Sequence, residues 1–530
     1  MMRAGSLFRK INGSCTLSAV QRRARSIAPA IERCKMRDVD SESQQHVRPY
    51  EDIPGPKKWP LIGNVFRFLP YIGEYANVDL VTQLRMFREK YGNVVKLEGL
   101  PGRRRTVFLF EPEQNQMMHR FEGTWPMRIA MESLHHYRMS RPDFYGDQVG
   151  LATGQGKSWQ DFRTKVNQYM MQPRAVRAHV TQIHDVTIDF MKLMQTLRDP
   201  DTLEVPNDFF NELCKWSVEA ICAIALDCRL GCLKHDLPAN SEPQIMINNV
   251  HAMFDLMYRL EVKPSLWKLY NTRNLKKFFR TMDTLNGVVI KHVDRAKTKF
   301  MEQPSNASAG ERSILEKLLH IDERTARVMA ADMFTAGIDT TANTAGALLY
   351  NIANNPDKQE IMREEAKSFL PDKSSPVTPD ILERAKYSKV CIKESLRLFP
   401  IAIGSLRTMQ TDVTLAGYHI PKGVDVVACH SVTALDETHF PQPQRFIPER
   451  WLRDNTDFVS AKTAHPFSYM PFGFGARTCI GRRFAEMELE TLLMTVVRNF
   501  RLEWHHEPMK YKSKFINTLG TPLRLKIIDL

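Results

Sequence analysis

Pro471-Phe472-Gly473-Phe474-Gly475-Ala476-Arg477-Thr478-Cys479-Ile480-Gly481 is the stretch on which the reading of this chain turns. Gly473 and Gly475, two residues apart, permit a tight, close-packed turn. Cys479 precedes a predicted helix whose apolar face is Ile480, Phe484, Met487, Thr491 and Met494. A thiol at a helix N-terminus has its thiolate favoured by the macrodipole and by free backbone N–H groups. The glycine beside it leaves room for something large and flat. A cysteine alone is most often a small buried hydrophobe. Here Phe-x-x-Gly-x-Arg-x-Cys-x-Gly fixes five of ten positions, a far more specific signal than any CxxC pair.

The surrounding chain has 530 residues, 43% hydrophobic and 25% charged, an ordinary globular composition that excludes wholesale disorder. That length suits a few domains or one large fold whose parts share a core. No run of about 18 apolar residues occurs, so nothing reads as a membrane-spanning helix. Nine scattered cysteines, an odd number, argue against a disulfide framework and for a reducing compartment. Of the net charge of +14, residues 1–37 supply +8, from nine Lys or Arg against Glu32. The rest carries only +6, so the basic balance does not point to a nucleic-acid partner. Met1 to Ala30 has no acid, several Ser and Thr, and arginines spaced among Leu7, Phe8, Ile11, Leu17 and Val20. That cationic amphipathic pattern is a mitochondrial transit composition, and a secretory apolar core is missing. Residues 1–37 are therefore expected to be a transit segment.

Residues 38–60 read as a polar stretch followed by a Pro-rich hinge (Ile53-Pro54-Gly55-Pro56, then Pro60), and 61–530 as the functional domain. Alternation around Pro101-Gly102 predicts a hairpin over 93–110. Helical period runs through 157–198, 208–230, 244–260, 273–301, 311–354, 357–369 and 379–398, with a polar linker at 302–310. Strands return between 405 and 430, with turns at Ala416-Gly417 and Pro421-Lys422-Gly423. The long irregular segment 435–478 has the length of a functional loop. A helix at 480–499 and a short strand pair close the chain. The fold class is mainly α with a minor β region.

Three further patterns carry chemistry. In Ala336-Gly337-Ile338-Asp339-Thr340-Thr341, Ala336 and Gly337 lie four and three residues before Thr340, so the three are expected on one helix face. Near-absent side chains and one hydroxyl make a groove for a planar ligand and a diatomic molecule. The Thr340 hydroxyl can bond back to the Ala336 carbonyl, and Asp339 adds a carboxylate able to relay protons; the plainer reading is close helix packing with Asp339 solvated. Glu394-Ser395-Leu396-Arg397 is ordinarily a surface pair, but Arg450 of Phe446-Ile447-Pro448-Glu449-Arg450-Trp451 could complete a three-charge network. Trp159 and Arg163 share a helix face, and indole with guanidinium suits an anionic carboxylate. Gly156-Lys157-Ser158 imitates the end of a phosphate loop but lacks the first glycine at the required spacing and a preceding strand. Cys222, Cys228 and Cys232 do not match zinc spacing and read as helix packing.

With these motifs in this order, the chain from about Asp52 to its end resembles cytochrome P450. The resemblance implies haem b held by the Cys479 thiolate, the ligand this family uses. Asp339 and Thr340 would be the acid–alcohol pair delivering protons to dioxygen. Trp159, Arg163, Arg407 and Arg477 would hold the propionates, with Phe472 near the thiolate and Glu394, Arg397 and Arg450 forming a structural triad. The implied reaction is monooxygenation. Lys389 and Lys393, with Arg482 and Arg483, resemble positions where the mitochondrial branch docks an acidic [2Fe-2S] ferredoxin, itself reduced by ferredoxin reductase. Val262 to Tyr270 mixes Trp, Tyr, Leu and Lys as a membrane interface does, which with the transit segment implies peripheral contact with the matrix side of the inner mitochondrial membrane. Pocket residues would come from 126–150, 241–270, 333–340, 401–406 and 517–522, apolar and no finer. The pattern looks closest to arthropod mitochondrial members, which points to xenobiotic or general lipophilic substrates, with steroid hydroxylation as runner-up. A haem protein that binds without turnover is the alternative of a different class; the intact Asp339-Thr340 pair speaks against it.

Overall fold

The computed structural model describes residues 47–235, 237–302, 313–457 and 459–530. The expected transit segment, the polar stretch up to residue 45 and linker residues 303–310 lie outside them. The compact body is Pro49–Leu530.

Its longer helices are α1 (Leu80–Tyr91), α2 (Pro112–Arg120), α3 (Glu132–Met139), α4 (Gly156–Met170), α5 (Val180–Leu197), α6 (Phe209–Ala225), α7 (Glu242–Met257), α8 (Arg273–Glu302), α9 (Glu323–Ala353), α10 (Pro356–Phe369), α11 (Tyr387–Leu398) and α12 (Arg482–Asn499). The central one is α9. Asp322 caps it by accepting from Thr325 N, and from Thr325 to Ala353 all but Arg327, Ala336, Gly337 and Thr340 are buried. A helix apolar on every side must be sheathed by others. α6, α7, α8, α11 and α12 pack on α9, and α12 also packs on α5 and α10.

The small β part is a four-stranded sheet of β1 (Val94–Leu97), β2 (Thr106–Leu109), β6 (Asp425–Ala428) and β3 (Ser405–Thr408), in that order. The expected hairpin pairs Val94 with Leu109, β2 runs parallel to β6, and β3 lies antiparallel to β6 with Arg407 opposite Val426. Two-stranded ribbons join β4 (Val413–Leu415) to β5 (Tyr418–Ile420), β7 (Phe500–Glu503) to β10 (Lys526–Asp529), and β8 (Tyr511–Ser513) to β9 (Asn517–Leu519). Within the stretch read as a hinge, Tyr50 and Ile53 are buried in the cluster beneath the sheet, and Lys96 N donates to Pro54 O at 2.8 Å. A Cβ on Gly55 would stand 2.1 Å from Lys96 O, so only glycine allows that approach.

Several expected boundaries move. The run 157–198 is broken at Met171-Gln172-Pro173, where Pro173 starts a separate turn, and 208–230 stops at Ala225, with Asp227 and Gly231 at positive φ. The run 311–354 divides into Ile314–Leu319 and α9, each with its own N-cap, Ser313 and Asp322. Ala385-Lys386 separates Pro379–Arg384 from α11. α1 and α2 were not expected, and α3 lies in the stretch taken as a loop; α2 (PEQNQMMHR) is too polar and short to show a helical period. One closing strand pair becomes two.

Candidate active site

The Cys479 loop is held by its own backbone. Gly473 and Gly475 take φ of 71° and 73°, and Cys479 N donates to Phe472 O at 2.9 Å. A Cβ on Gly475 would come within 2.6 Å of Glu122 Oε1. Cys479 is accessible, yet enough protein surrounds it for burial to raise the thiol pKa. Together these put the sulfur on an interior space rather than the outer surface. The Gly481 N–H, Arg163 and the Arg482 N–H oppose burial without cancelling it. The helix N-terminus thus favours the thiolate, as expected, but burial outweighs it; a cation bonded to the sulfur would tip the balance.

The middle of α9 supplies a second open surface. Ala336 is exposed and Thr340 half-buried on a helix otherwise sheathed, and Thr340 Oγ1 donates to Ala336 O at 2.6 Å, the expected back-bond. Gly337 departs from expectation. Its missing side chain admits Ile221 of α6, whose Cδ1 would stand 3.1 Å from a Cβ there. Glycine here lets α6 pack close, and the open face is carried mainly by Ala336 and Thr340. Asp339 is 2% exposed, not solvated. Its Oδ1 lies 3.1 Å from His251 Nε2 of α7, close enough for an ion pair but out of line for a hydrogen bond. Burial lowers the His251 pKa, Asp339 more than reverses this, and the net direction is upward. Ser217 of α6 donates to Ile338 O at 3.0 Å, stitching the two helices at this level.

A buried cluster of arginines adjoins the sulfur. Arg477 donates to Pro126 O, Gly154 O and Gln155 Oε1, and its guanidinium lies 3.7 Å from the ring centre of Trp159. Burial, then Arg128, Arg407 and Arg163, pushes its pKa down to about 8. Burial and Arg407 likewise take Arg128 down to about 10, and its Nε is buried without a partner. Arg163 is buried, with Cys479 near enough to influence it. Arg407 pairs with Glu122 at 2.5 Å. Burial works against the Glu122 charge, but His119 and Arg407 outweigh it and hold the pKa below the usual range. Four guanidiniums against the Glu122 carboxylate leave an excess of positive charge in a poorly hydrated place. Such a set calls for an anionic ligand.

Glu394, Arg397 and Arg450 come together behind this region, each at most 1% exposed. Arg397 donates to both Glu394 oxygens at 2.9 and 2.8 Å, and Arg450 Nε to Oε1 at 3.0 Å. Trp451 Nε1 adds a bond at 2.8 Å and Ile447 N one at 3.0 Å. Of the four cations expected at a docking face, Lys393 and Arg482 are exposed, while Lys389 and Arg483 are half-buried. The Lys389 ammonium is turned onto the carbonyls of Leu382 and Glu383, and Arg482 pairs with Glu486 at 2.9 Å. Tyr469 Oη donates to Lys393 O at 3.1 Å, joining α11 to the run that leads into the cysteine loop.

Set beside known proteins, the chain matches the family described as Cytochrome P450 over residues 53–527. The chain belongs to the cytochrome P450 family. "Probable cytochrome P450 12a5, mitochondrial" from Drosophila melanogaster is 37% identical over 494 residues, covering 91% of each chain. "Cytochrome P450 CYP12A2" from Musca domestica is 36% identical over 508 residues, covering 92% of this chain and 93% of that one. The crystal structure of the cytochrome P450DA heme domain superposes with a TM-score of 0.70 at 18% identity, over 90% of this chain and 97% of the other, which shows the shared fold. As a P450 the chain is a monooxygenase that binds haem b through a cysteine thiolate and uses dioxygen and a redox partner. The residues fit that group: an accessible thiol, four arginines against the one Glu122 carboxylate, and an orphaned Arg128 Nε. Sequence reasoning missed Arg128, Glu122 and His251, whose neighbours come from distant parts of the chain.

Proposed function

We propose that Cys479 is the axial thiolate and that the chain oxidises lipophilic small molecules with electrons from a mitochondrial [2Fe-2S] ferredoxin. The single observation that carries this reading is the accessible Cys479 beside an arginine cluster that Glu122 only partly compensates. When bound, the haem supplies the activation of dioxygen, one atom going into a substrate C–H bond and the other leaving as water.

The chain's own residues do the rest. Arg128, Arg163, Arg407 and Arg477, with Trp159, would hold the two propionates, whose charge would offset the burial and the mutual repulsion that depress Arg477. Phe472 flanks the thiolate, and the Glu394–Arg397–Arg450 triad fixes α11 against the loop. The Ala336–Thr340 face admits a flat ring and a diatomic molecule. Thr340 can turn its hydroxyl from Ala336 O into that space, and Asp339, released from His251, recharges it with protons.

The names of the relatives support a mitochondrial address, and Lys393 and Arg482 form the exposed part of a basic face for an acidic ferredoxin. Among the described residues no helix is long and apolar enough to cross a membrane. Peripheral contact with the matrix side of the inner membrane is supported by Leu61, Ile62, Tyr71 and Ile72 standing exposed, together with Leu266, Leu269 and Tyr270. Lys263 Nζ donates to Ala76 O at 3.0 Å and so ties the two segments together. Trp267, expected in that interface, is instead buried and donates to Leu260 O. Xenobiotic or general lipophilic compounds are the substrate class, matching the apolar reading of the stretches expected to line the pocket. The test is reconstitution with NADPH, ferredoxin reductase and ferredoxin over a panel of lipophilic compounds. Ferredoxin-dependent product supports the reading; turnover only with a microsomal flavoprotein reductase contradicts the partner.

A further inference from the structure

His251 does more than face Asp339. Its Nε2 also lies 3.7 Å from Cys214 Sγ on α6, and the three donor atoms fall within 4.8 Å of one another. Cys214 is fully buried, Asp339 is 2% exposed with Oδ1 lacking a hydrogen bond, and the His251 side chain is 41% exposed. Three separate helices, α6, α7 and α9, thus aim a sulfur, an imidazole nitrogen and a carboxylate oxygen at one point. The spacing of these residues in sequence gives no hint of it.

The donor set is selective. Calcium and magnesium take oxygen ligands, whereas sulfur with imidazole and one carboxylate suits zinc and ions like it. With metal–ligand bonds of about 2.0–2.3 Å, a tetrahedral zinc needs donor–donor edges of roughly 3.2–3.6 Å. The 3.1 and 3.7 Å contacts bracket that range, and the remaining edge closes by a side-chain adjustment. We propose that Cys214, His251 and Asp339 form a site for a divalent ion of the zinc class, with its fourth position open on the accessible side of His251. Binding forms Sγ–metal, Nε2–metal and Oδ–metal bonds and releases to solvent the Cys214 thiol proton and, where His251 is ion-paired with Asp339 as an imidazolium, its Nε2 proton. Occupation removes the Asp339 carboxylate from proton delivery, a consequence that rests on the relay role given to Asp339 above; the binding itself does not.

The test uses the haem-loaded full chain, exposed to zinc chloride and passed through a desalting column, with zinc counted by elemental analysis and affinity set by competition with a chromophoric chelator. Cys214→Ser and His251→Gln are compared after their carbon monoxide spectra and melting temperatures show intact folding. The expected result is one zinc equivalent more in the wild type than in either variant, and affinity weakened about tenfold or more in each. Equal zinc content and affinity in all three, or none retained by the wild type, overturns the site. A second arm measures peroxide released per NADPH consumed. Zinc is expected to raise it in the wild type and leave it unmoved in His251→Gln. Zinc bound at these residues without that rise sustains the site and removes the relay role of Asp339 instead.

Discussion

At the scale of the residue, Thr340 carries the sharpest expectation. Its hydroxyl touches only the Ala336 carbonyl, so Thr340→Ala leaves the helix and the haem cradle in place while removing the donor nearest the open face. Haem content and substrate affinity should match the wild type, and peroxide release per NADPH should rise several-fold; fully coupled turnover would remove Thr340 from proton delivery. Glu488 makes a different, pH-linked statement. It is 4% exposed on α12, burial pushes its pKa up to about 8, and the Thr341 hydroxyl offsets this only in part. The folded protein thus keeps a proton that the unfolded chain gives up near the ordinary value of about 4.5. Stability from this group is fully present below that value and is lost as pH rises towards about 8. Melting temperature should fall across that window, and Glu488→Gln should flatten the fall; an unchanged slope would show that Glu488 is ionised in the fold. Residue identity was legible in sequence where chemistry is local. The Thr340–Ala336 bond follows from spacing along one helix, whereas Arg128 and His251 gain meaning only from residues far away in the chain.

At the scale of the element, the long amphipathic runs gave their helices and the breaks between them stayed hidden. Ser313 and Asp322 look like ordinary polar residues until each is seen capping a helix. α2 offers too few apolar residues to set a period, whereas α1 carries one, Leu80, Leu84, Phe87 and Tyr91, that the expected helical runs leave out. Gly337 shows a subtler limit, since small size alone does not say whether a ligand or Ile221 takes the space. The α11 network can be ranked. Glu394 accepts from Arg397, Arg450, Trp451 and Ile447, all from buried positions or the adjoining segment. Glu394→Gln leaves two buried guanidiniums without a carboxylate, whereas Arg450→Met leaves the Arg397–Glu394 pair intact. Breaking a buried pair costs about 3–5 kcal/mol, so Glu394→Gln should lower the denaturation midpoint more than Arg450→Met. The reverse order, read by urea titration of haem-loaded protein, would show that Arg450 rather than Glu394 is the keystone.

At the scale of the whole molecule, the chain is a sheath of helices around α9, and its surface charge is what a partner meets. Lys393 is exposed, while the Lys389 ammonium is occupied by backbone carbonyls, so the two do not contribute equally. Lys393→Glu should raise the apparent ferredoxin KM several-fold and Lys389→Glu less, with both effects shrinking as salt is added. Equal KM values in all three proteins would move the docking face elsewhere. The overall class was legible because four short motifs in order define it; the substrate was not, because the stretches expected to line its pocket read as apolar and no finer. The central claim is that Cys479 is the haem ligand, and the ferrous–carbon monoxide difference spectrum of protein lacking residues 1–37, beside Cys479→His, tests it most directly. A Soret band at the thiolate position in the wild type, lost in the variant, is the predicted result. The same band in Cys479→His, or a well-folded wild type that takes up no haem, would contradict it.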